Sequence, residues 1–322
     1  MTDMRYTTLG DSGLRVSVVG IGCNNFGRPG SRTEELAGTR AVVDAAIDAG
    51  ITLFDTADVY GGHGKSEELF GEALAGRHGD VVVATKFGGG MGGVNGPDWE
   101  ARGSRRYIRR AVESSLRRLR AEHIDLYQYH MRDQVTPIEE TLAALTELVD
   151  EGKVRYIGSS NFSGWHVVEA DFLARSANSA RFISAQNHYS LLERGAEKEL
   201  APACESYGVG ILPYFPLANG LLTGKYTRGA AAPEGTRLAQ REQVLQNADW
   251  DAVEGLAALA EKRDVSLLHV AIGGLAAQPA VSSVIAGATS PEQVVANAEA
   301  GLWEPSVDDL ADIDAITSGK QS

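Results

Sequence analysis

A chain of 322 residues with 43% hydrophobic and 23% charged residues has the material for a large globular core, which excludes disorder on any large scale. Its formal net charge of −13, with no long Lys/Arg block, argues against a nucleic-acid or other polyanion surface. The two cysteines, Cys23 and Cys204, lack C-x-x-C spacing and make no disulfide framework, and the N-terminus MTDMRYTTLG has no apolar targeting run; a cytoplasmic protein without a membrane span is expected.

The first predicted element is a hairpin, Arg5 to Leu9 and Leu14 to Val16, around a turn at Asp11-Ser12-Gly13. Short apolar runs then alternate with amphipathic segments. The runs are Val18 to Gly22, Thr52 to Asp55, Val81 to Lys86, Ile124 to His130, Val154 to Ser159, Ile183 to Asn187, Gly210 to Tyr214 and Ser283 to Gly287. Between them, Ile108, Val112, Leu116 and Leu119 form an apolar stripe at helical spacing. Thr136-Pro137-Ile138-Glu139 reads as a capping box with Pro at the first helical position, and Ser290-Pro291-Glu292-Gln293 opens a helix in the same style. Eight strand-then-helix units imply parallel pairing through right-handed crossovers, and eight strands close into a (β/α)8 TIM barrel; an open doubly wound sheet is the alternative. No linker divides the chain, so residues 1–322 read as one domain, with a long irregular loop, 219–247, after the seventh strand.

A barrel of this kind carries its active site at the C-terminal ends of its strands. There the predicted strands place Asp55, with Tyr60 shortly after it, then Lys86 and His130. Ser160 and Asn161 follow the fifth strand, Gln186 lies on the sixth and Tyr214 ends the seventh. Each alone has a bland reading as a cap or a satisfied core residue. Together they differ, because burying Asp, Lys and His at one mouth is costly unless they pair. His123, seven residues before His130, lies about 23 Å away along an extended strand and belongs to the opposite end.

The stretch VVVATKFGGGMGGVNG contains G-x-G-x-x-G spacing after a strand. A dinucleotide-binding turn would open a helix and be followed by an acidic strand end. Here the run continues through Asn95-Gly96-Pro97, and Glu113 lies on a helical segment, so the pattern is a false positive and the strand's functional residue is Lys86. A short-chain dehydrogenase would pair Tyr with Lys four residues on, whereas Tyr60 and Lys65 are five apart. The seven histidines lack metal-ligand spacing, and no metal is expected.

Several stretches together resemble the aldo-keto reductases, in particular a bacterial branch similar to the potassium-channel β subunits. They are GDSGLRVSVVGIGCNNFG, FDTADVYGGHGKSEELFGEAL, VVVATKFG, IDLYQYH, KVRYIGSSNFS, AQNHYSLLER, LPYFPLANGLLTGKY and VIAGATSPEQVVANAEA. The resemblance runs from end to end and implies a (β/α)8 barrel that reduces aldehydes and ketones with NADPH, NADH being possible. It assigns Tyr60 as proton donor, Asp55 and Lys86 as its tuning pair and His130 as the group that orients the carbonyl. A nearby ammonium should lower the tyrosine pKa.

By the same resemblance Ser160, Asn161 and Gln186 hold the carboxamide and Tyr214 stacks on the nicotinamide. Phe215, Leu217, Lys225 and Arg237 lie in the segment after the seventh strand, and Gly287, Thr289, Gln293 and Asn297 meet the adenosine end. Gln293 stands where some members carry an arginine for the 2′-phosphate, and Ala296 replaces a commonly acidic residue. Phe26, Met91 and Trp99 lie on loops expected to rim the mouth and line the substrate pocket. The partner is then a small carbonyl or alcohol. A sugar or alcohol dehydrogenase running the other way and a non-catalytic NADP(H)-binding subunit are the alternatives.

Overall fold

The computed structural model describes residues 4–233 and 236–318, apart from the side chains of Arg237 and Gln240. A hairpin, β1 (Tyr6–Thr8) with β2 (Arg15–Ser17), precedes eight parallel strands. These are β3 (Val19–Gly22), β4 (Leu53–Asp55), β5 (Val82–Phe87), β6 (Ile124–Tyr129), β7 (Val154–Ser160), β8 (Phe182–Gln186), β9 (Gly210–Ile211) and β10 (Val284–Gly287). Their order is β10-β3-β4-β5-β6-β7-β8-β9, and the Ile211–Val281 bridge joins the two ends, with Ile285 N donating to Pro213 O beside it. The expected barrel is what the chain forms.

Helices follow the strands in chain order: α1 (Leu36–Asp48), the tight turn α2 (Tyr60–His63), α3 (Lys65–Leu74), α4 (Arg105–Leu119), α5 (Ile138–Asp150), α6 (Gly164–Ala177), α7 (Leu200–Tyr207), α8 (Glu242–Gln246), α9 (Trp250–Lys262), α10 (Leu267–Ala276), α11 (Pro291–Ala300) and α12 (Val307–Thr317). The predicted stripe Ile108, Val112, Leu116 and Leu119 is buried on α4, against the outside of the barrel. Ser290 caps α11 by accepting from Gln293 N, with Pro291 in its first turn. The capping box at α5 is a correction. Pro137 occupies the cap position without a side-chain bond, and Thr136 instead donates its hydroxyl to Asp133, whose carboxylate also accepts from the Thr136 and Val135 amides. The seventh barrel strand is also shorter than expected, ending at Ile211, because Pro213 has no N–H to continue a ladder.

Side chains alternate across each strand, so inward residues recur every second position. Leu53, Ala84, Leu126, Leu212 and Ile285 form an apolar layer inside the barrel, sealed from below by Leu9 and Val16 of the hairpin. Two residues further along β4, β5 and β6 the inward positions are Asp55, Lys86 and Gln128, all buried. The interior thus changes from apolar to polar in one step towards the C-terminal mouth. With the other end plugged by the hairpin, that mouth is where a ligand can enter.

Candidate active site

Lys86 sits at the centre of the polar layer, its side chain fully buried. An ammonium has three N–H donors, and here each has an acceptor: Asp55 Oδ2 at 2.6 Å, Thr56 O at 2.8 Å and the Tyr60 hydroxyl at 3.4 Å. Burial works against the charge, but the Asp55 carboxylate and the Tyr60 oxygen more than offset it and hold Lys86 above its ordinary pKa. The lysine is therefore a fixed positive charge beneath the tyrosine.

Tyr60 reaches this place because the chain turns sharply after it. Gly61 has φ 68°, and a Cβ there would come within 2.7 Å of Phe26 O, so the turn requires glycine. Ser66 ties the same segment down, sharing a hydrogen bond with Thr56 Oγ1 and donating to Cys23 O. Burial pushes the Tyr60 phenol above 10.0, with Lys86 pulling it down and Asp55 pushing it up. The net direction is opposite to that expected from the ammonium alone, because desolvation outweighs it.

His130 follows β6, its backbone N–H donating to Phe87 O, and its ring meets Tyr60 edge-on at 5.9 Å between centroids. Burial, helped by the Lys86 charge, lowers its pKa to about 3, so the imidazole is neutral at ordinary pH. Its buried Nδ1 has no partner. His123 lies at the other end of the strand, 3.5 Å from Asp125.

The next shell joins this group directly. Asn161, in a left-handed conformation with φ 59°, donates to His130 O at 3.0 Å and to Ser160 Oγ at 3.1 Å, and accepts from the Tyr214 hydroxyl at 2.9 Å. Ser160 donates to Gln186 O, and Gln186 donates to Asp55 Oδ1 at 2.8 Å. Asp55, Tyr60, Lys86, His130, Ser160, Asn161, Gln186 and Tyr214 thus form one hydrogen-bonded or ring-contacting cluster. Two members were missed from the sequence. Gln128 donates to Asp55 Oδ1 at 3.0 Å, and His188 stacks on Tyr214 at 5.5 Å with planes 4° apart. The alternation Leu126, Gln128, His130 was the signal available for Gln128.

The remaining positions spread along the mouth. Phe215 packs edge-on against Tyr214, Leu217 precedes a turn at Ala218–Thr223, and Lys225 is exposed beyond it. The Arg237 side chain lies outside the described atoms. Gly287 ends β10 exposed, the Thr289 amide and hydroxyl both donate to Gln293 Oε1, and Asn297 is buried with an unpartnered Nδ2. No group of His, Cys, Asp or Glu among the described residues could hold a metal.

The three rim residues separate. Phe26 is fully buried, its ring 6.4 Å from that of Phe70, and Met91, in the loop after β5, is 1% exposed. Trp99 is 69% exposed, with the Arg106 guanidinium 4.1 Å from its ring centroid. The glycine run between them opens no helix: residues 88–104 are loop until α4 begins. Asn95 pins that loop by donating to Asp58 Oδ2 at 3.1 Å, three residues after Asp55. Burial, then the Glu67 carboxylate, push Asp58 well above the ordinary carboxylate range.

The model of the aldo/keto reductase family matches residues 18–318. The chain belongs to the aldo/keto reductase family. Among relatives of this aldo/keto reductase, the oxidoreductase YrpG of Bacillus subtilis (strain 168) is 39% identical over 90% of this chain and 89% of its own length. A probable voltage-gated potassium channel subunit beta of Oryza sativa subsp. japonica is 36% identical over 98% of each chain. The L-glyceraldehyde 3-phosphate reductase of Escherichia coli O157:H7 is 34% identical over 97% of this chain and 92% of its own. The family is one of NAD(P)H-dependent oxidoreductases acting on small carbonyl compounds. No described helix of this member is long and apolar enough to cross a membrane.

Proposed function

We propose that this aldo/keto reductase is an NADPH-dependent reductase of aldehydes and ketones in which Tyr60 donates the proton. The observation that carries the reading is the Lys86 ammonium, buried against Asp55 at 2.6 Å and aimed at the Tyr60 oxygen at 3.4 Å. Because Lys86 donates to that oxygen, the phenol's own proton remains free to point at a substrate. When bound beside this group, a nicotinamide cofactor would supply the hydride that reduces the carbonyl carbon. As negative charge grows on the carbonyl oxygen, Tyr60 gives it a proton, and the phenolate left behind is stabilised by the ammonium beneath it. His130, neutral, offers its single N–H to the same oxygen and fixes its direction. General-acid help of this kind is worth roughly 10² to 10⁴-fold.

The residues present suit the cofactor. Ser160, Asn161 and Gln186 are the amide and hydroxyl groups a carboxamide needs, Tyr214 presents a ring for the nicotinamide, and Phe215 and Leu217 continue that wall. At the adenosine end Gly287, Thr289, Gln293 and Asn297 would serve, the unpartnered Asn297 amide being a donor still to be used. Lys225, and Arg237 with it, are the cations proposed for the 2′-phosphate. NADPH is then expected to bind more tightly than NADH, read as dissociation constants by quenching of protein fluorescence; equal constants would remove the phosphate clamp. Trp99, exposed on the loop at 88–104, is the rim residue proposed to meet substrate directly, with Phe26 and Met91 buried.

The similarity to a channel β subunit favours a second reading, an NADP(H)-binding subunit, which the complete Asp55, Tyr60, Lys86 and His130 group argues against. The same group serves alcohol oxidation when substrate and cofactor ratios favour it. The Tyr60→Phe protein, folded and binding NADPH like the parent, should lose at least about 10²-fold in kcat for aldehyde reduction. Parent-like turnover in that variant would remove Tyr60 from the chemistry.

A further inference from the structure

Asp55 Oδ1 faces two amides that sequence reasoning does not bring together. Gln128 Nε2 lies 3.0 Å from it and Gln186 Nε2 lies 2.8 Å away, while Oδ2 is occupied by Lys86. A carboxylate paired with an ammonium can only accept, so both glutamines must turn their NH2 groups towards it. Gln186 Nε2 also lies 3.4 Å from Gln128 Oε1, the donor-to-acceptor contact that this orientation produces. Gln128 is fully buried and pairs in register with Lys86 across β5 and β6. Its side chain is therefore held by the sheet that holds the lysine.

The two glutamines differ in position. Gln186 is next to Ser160, whose hydroxyl donates to its carbonyl, and so belongs to the group proposed to meet the carboxamide. Gln128 has no such second duty. We propose that Gln128 is a positioning residue: it anchors the Asp55 carboxylate so that Lys86 stays aimed at the Tyr60 oxygen, including when Gln186 turns to the cofactor.

Without the Gln128 donor, the carboxylate keeps fewer partners and draws harder on Lys86, leaving less positive charge for the phenolate. Tyr60 should then titrate higher, and kcat should fall while the KM for the carbonyl changes little. The inference rests on Tyr60 as proton donor, but its first readout does not, because Tyr60 ionisation can be followed in the free protein. It is the ultraviolet difference titration of each protein against its own Tyr60→Phe counterpart.

Gln128→Met keeps the length and volume of the side chain and removes the donor. A folded Gln128→Met protein should show Tyr60 ionising at higher pH than in the parent, with kcat down about tenfold and a carbonyl KM within twofold. A residue that merely fills space would leave all three unchanged, and parent-like titration and kcat overturn the proposal. Gln128→Glu restores a donor only while the introduced carboxyl is protonated. Its kcat, relative to the parent, should therefore fall as pH rises, as the proton that the two carboxyls share is lost. A ratio to the parent that is flat with pH overturns the proposal even where Gln128→Met fails to fold. Loss of reduction in Tyr60→Phe tests the function itself, so a normal Gln128→Met titration alongside an inactive Tyr60→Phe rejects the anchor alone.

Discussion

Three acceptors for three N–H groups leave the Lys86 ammonium no spare donor, which makes it a stationary charge. Around it the same low-polarity setting acts on Tyr60 and His130 in ways the sequence alone does not reveal. Desolvation raises the phenol against the pull of Lys86, so Tyr60 is protonated at neutral pH, the state its proposed role as an acid requires. For His130, burial and the neighbouring ammonium disfavour the charged form, with a pKa near 3 against 6.5 for a free imidazole. The unfolded chain binds a proton there below pH 6.5 and the folded chain does not until about pH 3, so stability is complete above 6.5 and falls as the pH falls towards 3. At about 1.4 kcal/mol per pH unit, and with the ring not fully enclosed, the loss between pH 7 and pH 4.5 should be up to roughly 2 kcal/mol. Urea unfolding at those two pH values should show a His130→Gln protein losing less stability than the parent. Equal acid sensitivity would mean the imidazole titrates normally.

Element by element, the strands do most of the positioning. A period of two carries β4 from Leu53 to Asp55, β5 from Ala84 to Lys86 and β6 from Leu126 through Gln128 to His130, which is why strand ends alone pointed to most of the site. Loop residues were legible only as loop residues. Met91 and Trp99 lie on one glycine-rich segment, yet the fold buries the first and exposes the second. The loop is tied to distant elements at Asn95, which donates to Asp58 and accepts from Arg118 on α4. Gly88, with φ 94° and a position where a Cβ would come 2.7 Å from the Tyr129 ring, sets the direction in which the segment leaves β5. Such pairings have no spacing rule, so neither the latch at Asn95 nor the Asp133 contact that displaced the predicted capping box could be read beforehand. Removing the latch by Asn95→Ala should cost about 1 to 3 kcal/mol in urea unfolding. Because it also frees the loop that carries Trp99, the carbonyl KM should rise more than kcat falls. An unchanged KM would detach this loop from the substrate.

At the scale of the whole molecule, the hairpin and the polar layer make the barrel one-ended. Leu9 and Val16 close the bottom on Leu53, Ala84 and Leu126, and the chemistry-bearing residues collect at the other mouth, where segments from β4, β5, β6, β7, β8 and β9 converge. The eight-strand pattern made this architecture readable, since alternating strand and helix units admit few closures. Family membership narrows the chemistry to NAD(P)H and small carbonyls, while the site geometry supports reduction over mere cofactor binding. Mixing the protein with NADPH and a reactive aromatic aldehyde, and counting the alcohol formed against the NADPH consumed, tests that claim most directly. Multiple turnovers with one alcohol per NADPH are expected. Tight NADPH binding with no alcohol formed from any aldehyde or ketone tried would contradict it and leave a binding subunit in its place.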